Sequence, residues 1–286
     1  MTTLRRCCFL SMDDLTGYVA DDDLAIEPLR ALGWEVSTVS WRDTNADWND
    51  FDVVVIRTTW DYHYAPDEFL NVLEKIDASP ARLENALTTV RWNLDKTYLR
   101  DLEEKGINIV PTVWANGAFS ADDLEKWKTG LNADELIVKP TVSATARDTF
   151  RIRSFDAAVS NVFNGRNFMI QPFMRSVVEE GEFSLFYFNG EYSHTILKRP
   201  KTDDFRVQED HGGIISEAEP ETAMLTAAQQ INDTIEPLPL YSRIDLVRHN
   251  GDFALMELEL IEPALYFRMN DRSPVLFAEQ FDRRMR

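Results

Sequence analysis

Residues 241–268 read YSRIDLVRHNGDFALMELELIEPALYFR, and they describe two strands joined by a tight turn. Residues 241–248 alternate apolar and polar side chains, and His249-Asn250-Gly251-Asp252 carries the Asn-Gly pair that a two-residue hairpin favours. In the returning run, Glu257 and Glu259 stand two apart. A strand sends residues i and i+2 to the same face, so both carboxylates point one way, and Asp245 on the partner strand can join them across the ladder. Three adjacent carboxylates repel one another, and burial sharpens the repulsion. Either they form a solvated edge or a hard cation such as Mg²⁺ neutralises them. The flanking Phe253, Leu255, Met256, Leu258, Leu260 and Ile261 favour a central, covered strand, and with it the metal.

The chain has 286 residues, 44% of them hydrophobic, enough for one large domain or two to three small ones. Its net charge of −19 argues against nucleic acid or an anionic membrane as the main partner. An anionic substrate would need a local basic site built against that field. Cys7 and Cys8 are adjacent in an apolar run, which suits buried thiols in a reducing compartment better than a disulfide framework. The run CCFL is stopped by Asp13 and Asp14, too soon for a signal peptide, and no segment approaches the length of a membrane span. A cytoplasmic protein is expected.

Working outward, residues 6–10 and 34–39 read as strands. Between them a helix runs over 24–32, with Ile26, Leu29 and Leu32 on one face and Gly33 ending it. The continuous apolar run 51–56 marks a parallel strand covered on both faces, and Pro66 opens a helix carrying Phe69, Leu70, Leu73 and Ile76. This alternation predicts an α/β layer whose ligands sit beyond the carboxyl ends of the strands. Two loops fall there: Ser11-Met12-Asp13-Asp14 and Arg57-Thr58-Thr59-Trp60-Asp61-Tyr62. Arg57 suits a substrate carboxylate, which a guanidinium grips with two hydrogen bonds; Trp60 and Tyr62 either cover the loop or line a site. Asn93 reads as the cap of a helix running to Gly106. Lys96 would then lie in its first turn, where the helix dipole disfavours a cation unless an anion is near. Residues 107–113 read as a short strand.

The second half is richer in strands. A helix over 122–128 leads into ELIVKP, a strand ending at Lys139-Pro140, followed by the polar stretch TVSATARDTF. Phe168-Met169-Ile170 is a strand running into Gln171-Pro172-Phe173-Met174. Residues 181–188 and 192–197 form a hairpin about Asn189-Gly190, and 220–235 form an amphipathic helix.

The order of these features resembles the ATP-grasp superfamily of carboxylate–amine ligases, which includes glutathione synthetase and D-alanine–D-alanine ligase. Ser242-Arg243-Ile244-Asp245 looks like its R-x-D strand, and Glu257-Leu258-Glu259 with Pro263 looks like its E-x-N-x-x-x-P strand. RTTWDY at 57–62, WNLDK at 92–96 and ELIEPALYF at 259–267 look like the D-cycloserine-forming cyclo-ligase branch. The resemblance implies a pre-grasp α/β domain over 1–114, a small α+β lobe over 115–174 and a large α+β lobe over 175–286, enclosing ATP. Asp245, Glu257 and Glu259 would hold Mg²⁺, with Mn²⁺ as a substitute. Lys96 and Lys139 would reach the phosphates. Gln171, Pro172, Phe173 and Met174 would form the adenine hinge, with Glu179 or Glu182 on the ribose. Arg243 would stabilise charge on the reacting carboxyl group. A homodimer is common in the family.

Two features depart from that pattern. Glu259 stands where asparagine is usual, adding a charge. The loop after Pro140 lacks the usual glycines, so Ser143, Thr145 and Arg147 would have to supply donors to the phosphates. The implied chemistry is phosphorylation of a carboxylate by ATP, then displacement of phosphate by an amine, which needs positioning and charge neutralisation but no side-chain nucleophile. Lys198, basic in an acidic chain, is a candidate for nucleotide or carboxylate. His211 is a candidate base for the amine, although a loop histidine without a catalytic part is as good a reading. Glu262 sits at the edge of the metal strand and suits an α-ammonium group. The small-molecule substrate is then an amino acid or a derivative, held by Glu262, Arg57, Asp13, Trp60 and Tyr62. Competing readings are a non-catalytic nucleotide-binding module and a ligase that modifies a protein tail; the second wants a basic docking surface, which this composition lacks.

Overall fold

The apolar run at residues 53–56 becomes the middle of a parallel sheet, covered on both faces because every position is buried. In the computed structural model, which describes residues 4–143, 146–202 and 204–286, this sheet has four strands. They are β1 (Arg5–Ser11), β2 (Trp34–Ser40), β3 (Val53–Thr58) and β4 (Arg82–Glu84), in the order β2-β1-β3-β4 and all parallel. Helices α1 (Ile26–Ala31) and α2 (Pro66–Asp77) join them, and α3 (Leu87–Asn93) and α4 (Tyr98–Glu104) follow. One face, with Cys8, Leu10, Val54 and Ile56, packs on Phe69, Leu73 and Ile76 of α2. Cys7, Phe9, Val53 and Val55 on the other face share a core with residues from the end of the chain, including Phe186, Phe188, Tyr241 and Phe277. That shared core fixes the loops after β1 and β3 beside the hairpin at 241–259. Burial pushes both thiols up, Cys8 to about 12, so neither is a reactive thiolate.

The second sheet is antiparallel, ordered β5-β8-β6-β7, from β5 (Val113–Asn116), β6 (Leu136–Pro140), β7 (Phe150–Ile152) and β8 (Asn167–Pro172). Its helix α5 (Ala121–Leu131) starts on a capping box in which the Asp123 amide donates to Ser120 Oγ at 3.2 Å and the Ser120 amide to Asp123 Oδ2 at 3.0 Å. Phe119, Phe163 and Phe168 fill the core under it. Short helices α6 (Ala157–Val162) and α7 (Arg175–Glu179) flank β8.

The third sheet holds β9 (Glu182–Phe188), β10 (Glu191–Arg199), β11 (Ile214–Glu217), β12 (Tyr241–His249) and β13 (Asp252–Glu259), ordered β11-β10-β9-β12-β13 and antiparallel. Helices α8 (Thr222–Asn232) and α9 (Ser273–Arg284) cover its two faces. The β12–β13 turn is the expected one, with Asn250 at φ 52° and Gly251 at φ 83°, the left-handed pair a two-residue turn requires. Among the described residues no helix is long and apolar enough to cross a membrane.

Three local expectations are corrected. The strand β13 is an edge strand, not a central one; its outer side is sealed by residues 93–110 instead of by another strand. Asn93 Nδ2 donates to the Leu258 carbonyl and Asn93 Oδ1 accepts from the Leu260 amide, both at 2.9 Å. The Leu258 amide donates to the Tyr98 hydroxyl at 2.9 Å, and the Val110 amide to the Leu255 carbonyl at 3.0 Å. Asn93 is therefore no helix cap: it ends α3, its amide is spent on β13, and the chain turns through Asp95, whose carboxylate accepts the Thr97 amide at 2.9 Å, before α4 begins. The strand expected over 107–113 reduces to one bridge, Ile109 to Leu255.

Candidate active site

The hairpin ladder pairs Asp245 with Glu257 and Arg243 with Glu259, so all four side chains share the face that looks into the main cavity. This cavity has about 1810 Å³ of empty space, its solvent-open mouth included. Its lining comes from both antiparallel sheets and from the loops beyond β1 and β3. Lys139 on β6, Gln171 and Pro172 on β8, Glu182 on β9 and Lys198 on β10 all reach it.

At its centre, charges are paired in a chain. Asp245 is 1% exposed and accepts from Ser184 Oγ at 2.5 Å, from Arg243 Nη2 at 3.0 Å and from Lys198 Nζ at 3.2 Å. Burial alone would raise its carboxyl, but Arg243 and Lys198 hold it down at about 2. Lys198 also pairs with Glu182 at 2.6 Å, and Arg243 with Glu259. Lys96 Nζ lies 3.0 Å from Glu257 Oε1 and donates to the Ser143 carbonyl at 2.6 Å. Glu257 is the anion that offsets a lysine placed ahead of a helix start. Burial works against ionised Glu257 too, yet Lys96 and Lys139 keep it below the usual range. Glu259 fares differently: burial, opposed by Arg243 but reinforced by Asp245 and Glu257, pushes it up to about 7. Burial and then Glu259 push Glu262 up to about 8.

Lys139 stands apart. Its ammonium is pulled below its usual value by burial, and among the described residues it has neither an ion pair nor a side-chain hydrogen bond. Lys96, Lys198, Arg206 and Arg243, the other cations of the cavity, each sit on a carboxylate.

One end of the cavity is apolar, formed by Ile137, Phe173, Met174, Val177, Phe205, Val207 and Met256. The Phe173 amide is already taken by the Glu135 carbonyl at 2.9 Å, and its ring is covered by the Arg151 guanidinium at 3.7 Å. The other end is aromatic and acidic, with Tyr18, Trp60, Tyr62, Tyr266, Glu209, Asp210 and Glu262. Tyr18 and Trp60 rings are 5.4 Å apart, and Trp60 Nε1 donates to the Glu262 carbonyl at 2.9 Å.

The structure thus brings Lys96, Lys139, Ser143, Gln171, Pro172, Phe173, Met174, Glu182, Lys198, Arg243, Asp245, Glu257, Glu259, Glu262, Trp60 and Tyr62 to one cavity. Five expected site residues do not line it. Arg57 is 1% exposed; its Nε donates to Asp22 at 2.9 Å, its Nη2 donates to the Pro263 carbonyl at 2.9 Å and the guanidinium lies over the Tyr241 ring, while Nη1 is buried without a hydrogen-bond partner among the described residues. It anchors the segment after β13 rather than meeting a substrate carboxylate. Asp13 is exposed and accepts from Ser40; Glu179 is exposed at the end of α7; His211 lies outside the lining. Arg147 rests over the Tyr64 ring at 4.8 Å, and Thr145 lies outside the described residues. Ser184, Tyr98 and Tyr266 were missed. The register puts Ser184 opposite Asp245 on β9, a pairing that no local sequence pattern carries.

The carboxylates were tested as a Mg²⁺ site by their donor chemistry. Asp245, Glu257 and Glu259 offer only hard oxygens, as Mg²⁺ requires, and burial, reinforced by repulsion from the other two, already lifts Glu259. Among the described residues no three His, Cys, Asp or Glu stand ready as a metal cage. Mg²⁺ at a nucleotide site completes its shell from phosphate and water rather than from a full protein cage. The residues fit.

Residues 7–85 match the family described as the N-terminal domain of D-cycloserine synthetase DcsG. The cycloserine biosynthesis protein DcsG of Streptomyces lavendulae is 31% identical over 281 residues, covering 91% of this chain and 92% of that protein. The crystal structure of D-cycloserine synthetase DcsG superposes with a TM-score of 0.83 at 25% identity, over 98% of this chain and 100% of that one. The ATP-grasp ligase PsnB, solved with a minimal precursor, Mg and ADP, shares the fold at a TM-score of 0.67 and 11% identity, over 98% of each chain.

Proposed function

The chain belongs to the family of the cycloserine biosynthesis protein DcsG, among the ATP-grasp ligases, and from that premise we propose how its cavity divides the labour of an ATP-dependent carboxylate–amine ligase whose substrate is an amino acid or amino-acid derivative. One observation carries the proposal: Lys139 is a half-buried cation that makes no ion pair among the described residues, facing a hairpin whose carboxylates are more numerous than their cations can hold. An anion that brings its own divalent metal completes both halves at once.

The apolar end takes the adenine. With the Phe173 amide used internally, the hinge donor left to the base is the Met174 amide. The phosphates lie between Lys139 and Lys96. Asp245, Glu257 and Glu259 hold Mg²⁺, or Mn²⁺ in its place, which when bound supplies charge neutralisation on the phosphates. Glu182, tied to Lys198, is the nearer of the two expected ribose residues to this path; Glu179 is outside the cavity. Arg243, with Lys198 behind it, faces the carboxyl group that accepts the γ-phosphoryl group. A carboxylate oxygen forms the new P–O bond and ADP leaves; the amine nitrogen then attacks the carbonyl carbon, and phosphate departs with the C–O electron pair. No side chain forms a covalent bond, so positioning and electrostatics carry the rate.

Glu262 receives the substrate ammonium. Its carboxyl group has no hydrogen-bond partner, and its raised pKa marks a site that an arriving cation would ionise. The test is an ADP-release screen over D- and L-amino acids and their derivatives with hydroxylamine present. A hydroxamate formed with equimolar ADP identifies the activated carboxylate; ATP binding without turnover on any amino acid would refute the substrate class.

A further inference from the structure

The cavity is lined by a tyrosine whose hydroxyl none of these roles uses. Tyr266 follows the turn at Pro263 and adopts a left-handed backbone, φ 49° and ψ 41°, which side-chain-bearing residues seldom occupy. Such conformations persist where the surroundings impose them, and they concentrate at functional sites. Here the surroundings are specific. The Tyr266 ring lies 6.2 Å from that of Phe186, and the Arg268 guanidinium sits 5.0 Å from its centre. Arg268 is itself held by Asp21 at 2.6 Å and by Glu209 at 2.7 Å, from two separate loops.

With 6% of its surface exposed, Tyr266 lines the cavity, yet its hydroxyl makes no hydrogen bond among the described residues. Its oxygen is not among the sealed, unpartnered polar atoms of the interior, so it opens onto the cavity, where a bound molecule can meet it. The charges acting most strongly on it are Lys198 and Arg243, with Glu209 and Glu259 weaker. Tyr62, across the cavity, feels Glu262, Glu259 and Glu257 instead. The strongest charges acting on the two phenols therefore differ in sign, carboxylates for Tyr62 and cations for Tyr266. Negative charge that develops during acyl transfer belongs at the cationic corner.

Building on the ligase reading above, we propose that the Tyr266 hydroxyl is a catalytic residue, donating a hydrogen bond to the carbonyl oxygen of the acyl phosphate and to the oxyanion formed when the amine attacks. The left-handed backbone turns the phenol into the cavity, and the Arg268 clamp keeps it there. Burial keeps the phenol protonated, so it remains a donor.

The test is Tyr266→Phe, which removes the oxygen alone. Acetonylphosphonate, a stable analogue of acetyl phosphate, serves as a probe that does not depend on the natural carboxylate. Titrated into the Mg·ADP complex, it should bind the variant at least tenfold more weakly than the wild type, while the affinity for Mg·ADP and the melting temperature stay unchanged. With a carboxylate from the hydroxamate screen, kcat should fall about a hundredfold with KM for ATP unmoved, the scale of losing one oxyanion donor. Equal affinity for the phosphonate in the two proteins, or no binding to the wild type, overturns the assignment. A lower melting temperature with unchanged phosphonate affinity assigns Tyr266 to packing and overturns it equally. An empty hydroxamate screen contradicts the amino-acid substrate but leaves the phosphonate comparison to decide Tyr266.

Discussion

Two cavity groups of opposite sign, the half-buried Lys139 and the buried Asp245, show what single residues contribute here. Lys139 is an unpaired cation whose burial disfavours its charge, so Lys139→Met should raise KM for ATP more than tenfold while the melting temperature holds or rises. A fall in stability with unchanged ATP kinetics would mean the lysine is structural. Asp245 is the reverse case, since it anchors both Arg243 and Lys198. Asp245→Asn leaves those cations without their shared anion and should cost about 3–5 kcal/mol of stability, read by urea unfolding. Glu262→Gln should increase the substrate KM and spare that for ATP; an unchanged substrate KM removes Glu262 from the ammonium site. At this scale the sequence was readable wherever charge had no local explanation. Glu257, Glu259, Lys96 and Lys139 stood out for that reason, and all meet in the cavity. Arg57 stood out equally and is a structural anchor, because its partner Asp22 and the Pro263 carbonyl come from segments whose approach only the fold decides.

Among the elements, the hairpin β12–β13 was legible almost to the residue. Alternation fixed its faces and Asn250-Gly251 its turn, but pairing carried regularly from that turn would set Asp245 opposite Met256; a bulge between Asp245 and Leu246, unmarked in the sequence, shifts the register and brings Glu257 opposite instead. Its position at the sheet edge was not legible, since apolar flanks look the same whether a strand or a set of side chains covers them. Asn93 does part of that covering. Removing its amide in Asn93→Ala leaves the Leu258 carbonyl and the Leu260 amide buried and unmatched, for a loss of about 2–4 kcal/mol at the order of magnitude of one to two unsatisfied groups. Because those groups flank Glu259, nucleotide affinity should weaken along with stability. A variant that melts as the wild type does would show that the edge is sealed by other means.

For the whole molecule, the first sheet and the third share one core, and His194 reports on its integrity. The imidazole stacks on Phe186 at 4.3 Å with the rings 6° apart, donates from Nε2 to the Leu265 carbonyl at 3.1 Å, and is buried. Burial, opposed by the Leu265 carbonyl, lowers its pKa from 6.5 to about 4. The unfolded chain therefore binds this proton first as pH falls. Its contribution is complete above about pH 6.5 and is lost progressively towards pH 4, a change of about 3 kcal/mol. Urea midpoints at pH 7.5 and pH 5 should differ in that sense, and His194→Gln should flatten the difference. The α/β beginning, the two antiparallel sheets and the cavity between them followed from periodicity and resemblance. What did not follow was Tyr266, because a left-handed tyrosine has no signature in the chain and acquires its position only from Phe186 and the Arg268 clamp. The central claim is that the cavity phosphorylates a carboxylate of an amino acid. It is tested most directly by supplying the substrate found in the hydroxamate screen with ¹⁸O in its carboxyl group. The released phosphate should carry one ¹⁸O for each ADP formed, since the bridging oxygen leaves with phosphorus; unlabelled phosphate would contradict the acyl-phosphate path.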